Sequence, residues 1–317
     1  MNRRKFIETS ILGGTGLTLF NLFNCGRKER REEFSFPRRE LGRTGEMLSI
    51  IGFGGIVVND VEQEVANNIV AKAFDRGINY FDVAPAYGNA EEILGPALKP
   101  YRQSCFLACK TTQRGKKDAE RELNESLLKL QTDHFDLYQL HALTTVEDVE
   151  KAFGPDGAME VFLQAKQDGK VQFLGFSAHS EQAALLVMEK FDFDTVLFPI
   201  NFVCWYQGNF GAKVVAKAKE KQMGILALKA LAFTRIPQGE KKPYEKLWYV
   251  PIENDEVANL AVRFTLSQGT TAAIPPGEEK FFWKAVEIAQ KFTPLTIEES
   301  EKLKTISEGV EPLFRST

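Results

Sequence analysis

The sequence predicts an α/β protein folded as one (β/α)8 TIM barrel, closed at its N-terminal end by a β-hairpin and followed by a C-terminal helix. Three observations predict it. From Phe34 onward, eight short apolar runs alternate with stretches of helical periodicity, the pattern of parallel strands joined by crossover helices. Eight such units in about 270 residues suit a single barrel. The first run, "GFGGIVV", lacks the G-x-G-x-x-G spacing and continues as strand, which disfavours an open doubly wound sheet.

Taken in chain order, residues 1–25 differ in kind from the rest. Paired arginines and a phenylalanine in "NRRKFIETS" precede "ILGGTGLTLFNLF", an apolar run too short to span about 30 Å of hydrocarbon comfortably. This segment resembles a twin-arginine export signal, with that export machinery as a partner and an exported location, periplasmic or membrane-tethered as a bacterial lipoprotein. Arg3, Arg4, Lys5 and Glu8 leave it at +2, so the remainder holds −5 of the net −3. "LFNC" is a loose lipoprotein box that makes Cys25 a candidate lipid anchor, although Asn24 sits where a very small residue is usual. Residues 26–33, "GRKERREE", read as a charged linker, and residues 34–317 as the barrel.

In the barrel, Gly42 and Gly45 sit at turn-forming spacing in "RRELGRTGEMLSI", predicting the hairpin. Strands follow at 49–58, 79–85, 105–110, 135–143, 171–178, 193–201, 224–231 and 271–277. Amphipathic stretches such as 118–131 and 211–222 supply helices between them. Thr296 with Glu299 three residues on opens a last helix toward Val310.

Composition narrows the function. With 44% hydrophobic and 26% charged residues the chain is a soluble globule, and its basic residues form no stripe, so nucleic acid is not expected. A small molecule is the expected ligand and a monomer the expected state. The four cysteines (Cys25, Cys105, Cys109, Cys204) lack metal-site spacing, and the three histidines (His134, His141, His179) lie on separate elements, so no metal is expected.

In a parallel barrel the reactive residues gather where strands run out into their following loops. There the second strand gives Asp82 and its loop Tyr87, the third ends in Lys110, and the fourth delivers His141. An Asp left unpaired in an apolar strand costs several kcal/mol or neutralises itself, and a buried ammonium removes that cost. Lys110 set beside Tyr87 would also favour the phenolate, with about 4 kcal/mol of attraction at roughly 4 Å and an effective dielectric near 20, and so is expected to lower the tyrosine pKa. His141 would orient the oxygen that receives the proton. A two-carboxylate hydrolase fits poorly, because Asp82 has no second acid across from it.

"FDVAPAYG", "CK" and "LH" at these places, after "LGRTGEMLSIIGFGG", resemble the aldo-keto reductases from about Arg38 onward. The resemblance implies a barrel that binds an extended nicotinamide dinucleotide, NADP with NAD as the alternative. It also implies hydride transfer to a carbonyl substrate, with Asp82, Tyr87, Lys110 and His141 as the catalytic set. For the cofactor it points to Gly54, Ser177, His179, Asn201, Leu228, Lys229, Gly277 and Lys280. Gly277 stands between the eighth strand and a helix start, where backbone N–H groups can hold a phosphate.

The nicotinamide pocket departs from the pattern. Ala178 stands where an asparagine is common, Leu197 where a glutamine is usual and Leu228 where a tyrosine often stacks, and Glu278 and Glu279 fall where NADP-preferring members carry basic or small polar residues. The spelling "GFSxH" with "LK" resembles a branch with a C-terminal iron-sulphur domain, but the cysteines for one are missing here. An alternative reading is therefore a dinucleotide-binding sensing or interaction module with little turnover. Asn59, Trp205, Tyr206 and Phe233 are candidate substrate-lining residues.

Overall fold

The computed structural model describes residues 36–316. The segments expected to be an export signal and a linker, with Cys25, lie outside the described residues.

Strands β1 (Arg38–Glu40) and β2 (Met47–Ser49) pair antiparallel, Arg38 opposite Ser49, around the turn that Gly42 and Gly45 make with φ of 55° and 81°. Only glycine adopts such angles freely. From this hairpin Leu41 and Leu48 enter the barrel interior beside Tyr80, Phe106, Leu137, Leu197 and Leu226, so the hairpin stoppers the floor. A Cβ on Gly42 would lie 2.2 Å from the backbone nitrogen of Gly224. Gly42→Ala therefore adds left-handed strain to a clash with backbone that cannot swing aside. We expect it to cost roughly 3 kcal/mol or more, read as a lower midpoint in denaturant unfolding.

The barrel strands follow as β3 (Phe53–Gly54), β4 (Tyr80–Asp82), β5 (Phe106–Thr111), β6 (Phe135–Leu143), β7 (Val171–Ala178), β8 (Thr195–Pro199) and β9 (Gly224–Leu228). An antiparallel pair, β10 (Ala232–Arg235) and β11 (Tyr249–Pro251), precedes the eighth barrel strand, β12 (Ala272–Ile274). The eight barrel strands are parallel and pair in chain order, and Ile51 bridges Ala273 to bring the ends together, with Gly52 N donating to Ala273 O at 3.0 Å.

Helices α1 (Gln63–Asp75), α2 (Ala90–Leu98), α3 (Lys116–Lys129), α4 (Val146–Phe153), α5 (Ala158–Gln167), α6 (Glu181–Lys190), α7 (Phe202–Gly208), α8 (Ala212–Glu220), α9 (Asp255–Ser267) and α10 (Glu279–Gln290) surround the sheet. Their apolar faces and the outward strand residues make the larger core, where Phe53 lies 5.0 Å from Phe282 and 5.3 Å from Phe81 between ring centroids. The last helix, α11 (Ile297–Ser307), opens with the expected capping box, Thr296 and Glu299 each bonding the other's backbone N–H.

Several strands are shorter than expected, β4, β8 and β12 among them, and two of the differences have a clear local cause. The run 49–58 is not one strand: β3 is two residues long, and Gly55–Val58 turns as a 3-10 helix that buries Val57 and Val58. Gly55 packs so closely on Val83 that an added Cβ would lie 2.7 Å from its side chain, which lets the chain turn over the end of β4. A buried turn and a buried strand are both apolar, so the sequence reads alike for either. The strand expected over 224–231 stops at Leu228, because Lys229 takes a left-handed φ of 69°.

Candidate active site

Consecutive strands place the charged centre. Asp82 ends β4 and Lys110 lies near the end of β5, both inward and essentially free of solvent. Period-2 alternation aims Tyr80 and Asp82, and likewise Gln139 and His141, to the same side of their strands. The Lys110 ammonium donates to Asp82 Oδ1, to Val83 O at 3.3 Å and to Tyr87 Oη at 3.2 Å, which uses all three of its hydrogens. The other carboxylate oxygen of Asp82 accepts from Tyr80 Oη and Gln139 Nε2, each at 3.2 Å. Burial alone would push the Lys110 pKa down, but Asp82 and Tyr87 outweigh it and hold the ammonium above its ordinary value.

Tyr87 follows β4 in a turn where its N–H bonds Ala84 O at 3.0 Å and Gly88 takes a φ of 62°. The net pKa of this phenol is raised, contrary to the expectation from Lys110 alone. Burial of the phenolate is the largest cause, Lys110 opposes it, and Asp82 adds to the rise. Lys110 can only donate, so Tyr87 Oη accepts from it and the phenol's own hydrogen is left to face the cavity. The arrangement holds a proton at neutral pH and supports the oxygen that would remain once it is given away.

His141 meets the Tyr87 ring edge-on at 5.7 Å. Its placement depends on a bulge: Leu140 pairs with Phe176 but Leu143 with Ala178, and Ala142 takes a φ of 54°. Arg114, tied to Asp148, donates to His141 O at 2.8 Å, while Ala142 N donates to Ser177 Oγ at 2.8 Å. Burial, then the charges of Lys110, His179, Arg114 and Lys229, push the imidazole pKa down to about 2. His141 is therefore neutral near pH 7, able to offer a hydrogen bond but not a charge. Its Nδ1 has no partner among the described residues.

Above these groups lies a cavity of about 300 Å³. Asp82, Tyr87 and His141 line it together with Gly54, His179, Leu228, Lys229 and Gly277. Its roof is the segment before and into β11, with Lys246, Leu247, Trp248 and Tyr249 in the lining. Lys246 spans the mouth, its Nζ donating to Val57 O at 2.8 Å and its N–H to Glu278 Oε1 at 3.1 Å. His179 stacks on Phe314 at 5.2 Å, and burial, with Lys229 adding, lowers its pKa to about 4.

Three residues expected at the cofactor are engaged elsewhere. Ser177 is buried under the bulge. Asn201 caps α7 through Cys204 N and donates to Lys229 O and Ala232 O. Lys280 is exposed and contacts Tyr244 and Glu253. Nor do Asn59, Trp205, Tyr206 and Phe233 line the cavity. Trp205 and Tyr206 pack on Phe264, and Phe233 lies near Phe202, at the edge of the core.

Tyr80, Gln139, Arg114 and the roof were missed. The first two carried a signal, two residues before Asp82 and His141 on the same strand face. Arg114 and the roof act across long sequence separations and carried none.

A sequence model of the Aldo/keto reductase family matches residues 50–308. The "Uncharacterized oxidoreductase YqkF" of Bacillus subtilis is 32% identical over 44% of this chain and 48% of its own length. The L-galactose dehydrogenase of Arabidopsis thaliana is 30% identical over 61% of this chain and 65% of its own. The match thus spans less than two thirds of either relative. Among solved structures, the holo form of aldo-keto reductase AKR11C1 from Bacillus halodurans shares the fold with a TM-score of 0.68, 22% identity, and coverage of 88% of this chain and 98% of that one.

Proposed function

The chain belongs to the aldo/keto reductase family, and from that membership we propose that it reduces an aldehyde or ketone to an alcohol with a nicotinamide dinucleotide. The observation that carries this reading is the Lys110 ammonium, saturated by Asp82, Val83 O and Tyr87 Oη, behind a phenol that faces a cavity.

The lining fits such a cofactor at two points. Gly277, two residues before α10, suits an anionic group through its backbone N–H. Leu228 offers an apolar wall for a flat ring. When bound, the reduced nicotinamide supplies the hydride. Tyr87 gives its proton to the carbonyl oxygen as that oxygen gains charge. Lys110 stabilises the phenolate left behind, Asp82 keeps Lys110 charged, and neutral His141 orients the oxygen by a hydrogen bond. The roof of Trp248 and Tyr249 keeps bulk water from the reacting atoms.

NADP is the cofactor the family resemblance implies. NAD is the alternative, and it draws support from Lys280, whose ammonium is engaged with Tyr244 and Glu253 outside the cavity. Parallel fluorescence titrations of the full chain with NADPH and NADH, followed by turnover of a panel of aldehydes, test the proposal. Quenching by at least one dinucleotide and measurable reduction are expected. Quenching without turnover would instead support the binding module, a reading that Ala178 and Leu197, both buried and apolar, favour.

A further inference from the structure

Lys229 stands directly after β9, and its left-handed backbone costs a non-glycine residue about 1–3 kcal/mol. Buried hydrogen bonds hold it there. Asn201 Nδ2 donates to Lys229 O at 3.0 Å and to Ala232 O at 2.5 Å, and Ala232 N donates to Lys229 O at 2.9 Å. Strain sustained by its surroundings in this way clusters at functional sites. The effect is to turn the side chain into the cavity, where Nζ lies 5.0 Å from the centroid of the Trp248 ring and 4.6 Å from that of Tyr249.

The other two lysines each have an oxygen partner. Lys110 is neutralised by Asp82, and Lys246 donates to Val57 O on the side of the cavity where Glu278 begins α10. The Lys229 ammonium has neither a hydrogen bond nor a salt bridge among the described residues. It lies at the other side, close enough to His141 and His179 that its charge helps keep both imidazoles neutral. Burial lowers its own pKa to about 8. The reacting end of the cavity therefore carries an unbalanced ammonium with free donors between two aromatic faces, a combination that suits a carboxylate on a flat body.

We propose that Lys229 binds the carboxylate of an anionic carbonyl substrate, whose planar part lies against Trp248 and Tyr249. The proposal rests on the carbonyl-reductase reading. Two aldehydes with the same ring and para substitution test it, 4-carboxybenzaldehyde, an anion, and its neutral methyl ester, methyl 4-formylbenzoate. The acid should exceed the ester in kcat/KM by about 10-fold or more, as one charge-assisted hydrogen bond implies. In Lys229→Met that ratio should fall at least 10-fold, chiefly through the KM of the acid. Lys229→Asn removes the cation yet tolerates the left-handed backbone, so it should do the same in a protein of unchanged fold. Lys229→Arg should keep the preference for the acid.

An unchanged ratio in both neutral variants overturns the proposal. So does an equal loss on both aldehydes with weaker dinucleotide binding, which would assign Lys229 to a cofactor phosphate. If the wild type reduces neither of these nor any other aldehyde of the panel, the reductase reading fails on its own. Calorimetry with 4-carbamoylbenzoate against terephthalamide then tests the anion site separately: Lys229-dependent binding of the acid alone supports it, and no such binding overturns it.

Discussion

Replacing Tyr87 with phenylalanine is expected to lower kcat/KM for aldehyde reduction by about 10²- to 10⁴-fold, the usual worth of a positioned proton donor. The substitution deletes one oxygen and keeps the ring. The edge-on contact with His141 at 5.7 Å and the Lys110 ammonium 4.8 Å from the ring centroid survive it. Lys110 retains Asp82 and Val83 O as acceptors, so its charge stays satisfied. Dinucleotide quenching should therefore persist while turnover is lost. Steady-state kinetics beside a fluorescence titration check this, and a Tyr87→Phe enzyme with near-normal rates would remove the phenol from the mechanism.

The second large effect is on stability. Lys110→Met should cost about 3–5 kcal/mol at neutral pH, because it strands a buried carboxylate whose only remaining donors among the described residues are Tyr80 and Gln139. Adding Asp82→Asn should restore much of the loss, since the pair is then replaced by neutral groups. Chemical denaturation of both single variants and the double variant measures the coupling. Additive losses would mean that the ion pair does not stabilise this end of the barrel. The sign with pH follows from Lys110, whose folded-state value is raised. Its contribution is complete below the free-lysine value of about 10.4 and fades only in strongly alkaline solution.

Much of this centre could be read in the chain because a strand has a period of two and a barrel collects its strand ends at one mouth. Asp82, Lys110 and His141 each occupy an inward position near such an end, so three short runs located them. The net shift of Tyr87 could not be read, since it depends on how far burial outweighs an ammonium 3.2 Å away. Asn201, expected at the cofactor, instead caps the helix that starts "FVCWYQG", a role that takes it out of the cavity. The roof had no local signature. Lys246 reaches Val57 across 189 positions, and Trp248 finds Phe314, neither of which any window of sequence displays. The 3-10 turn after Gly54 was hidden because its valines are as apolar as those of a strand.

The cluster of Asp82, Tyr87, Lys110 and His141 sits on β4, the loop after it, β5 and β6, while the roof and Lys229 come from the chain after β9. The two sets are separated by about a hundred residues and by the intervening strands, so one can vary without retuning the other. A library randomised at Leu247, Trp248 and Phe314 would thus sample new linings above an unchanged cluster, a modular route to divergence built into the order of the barrel.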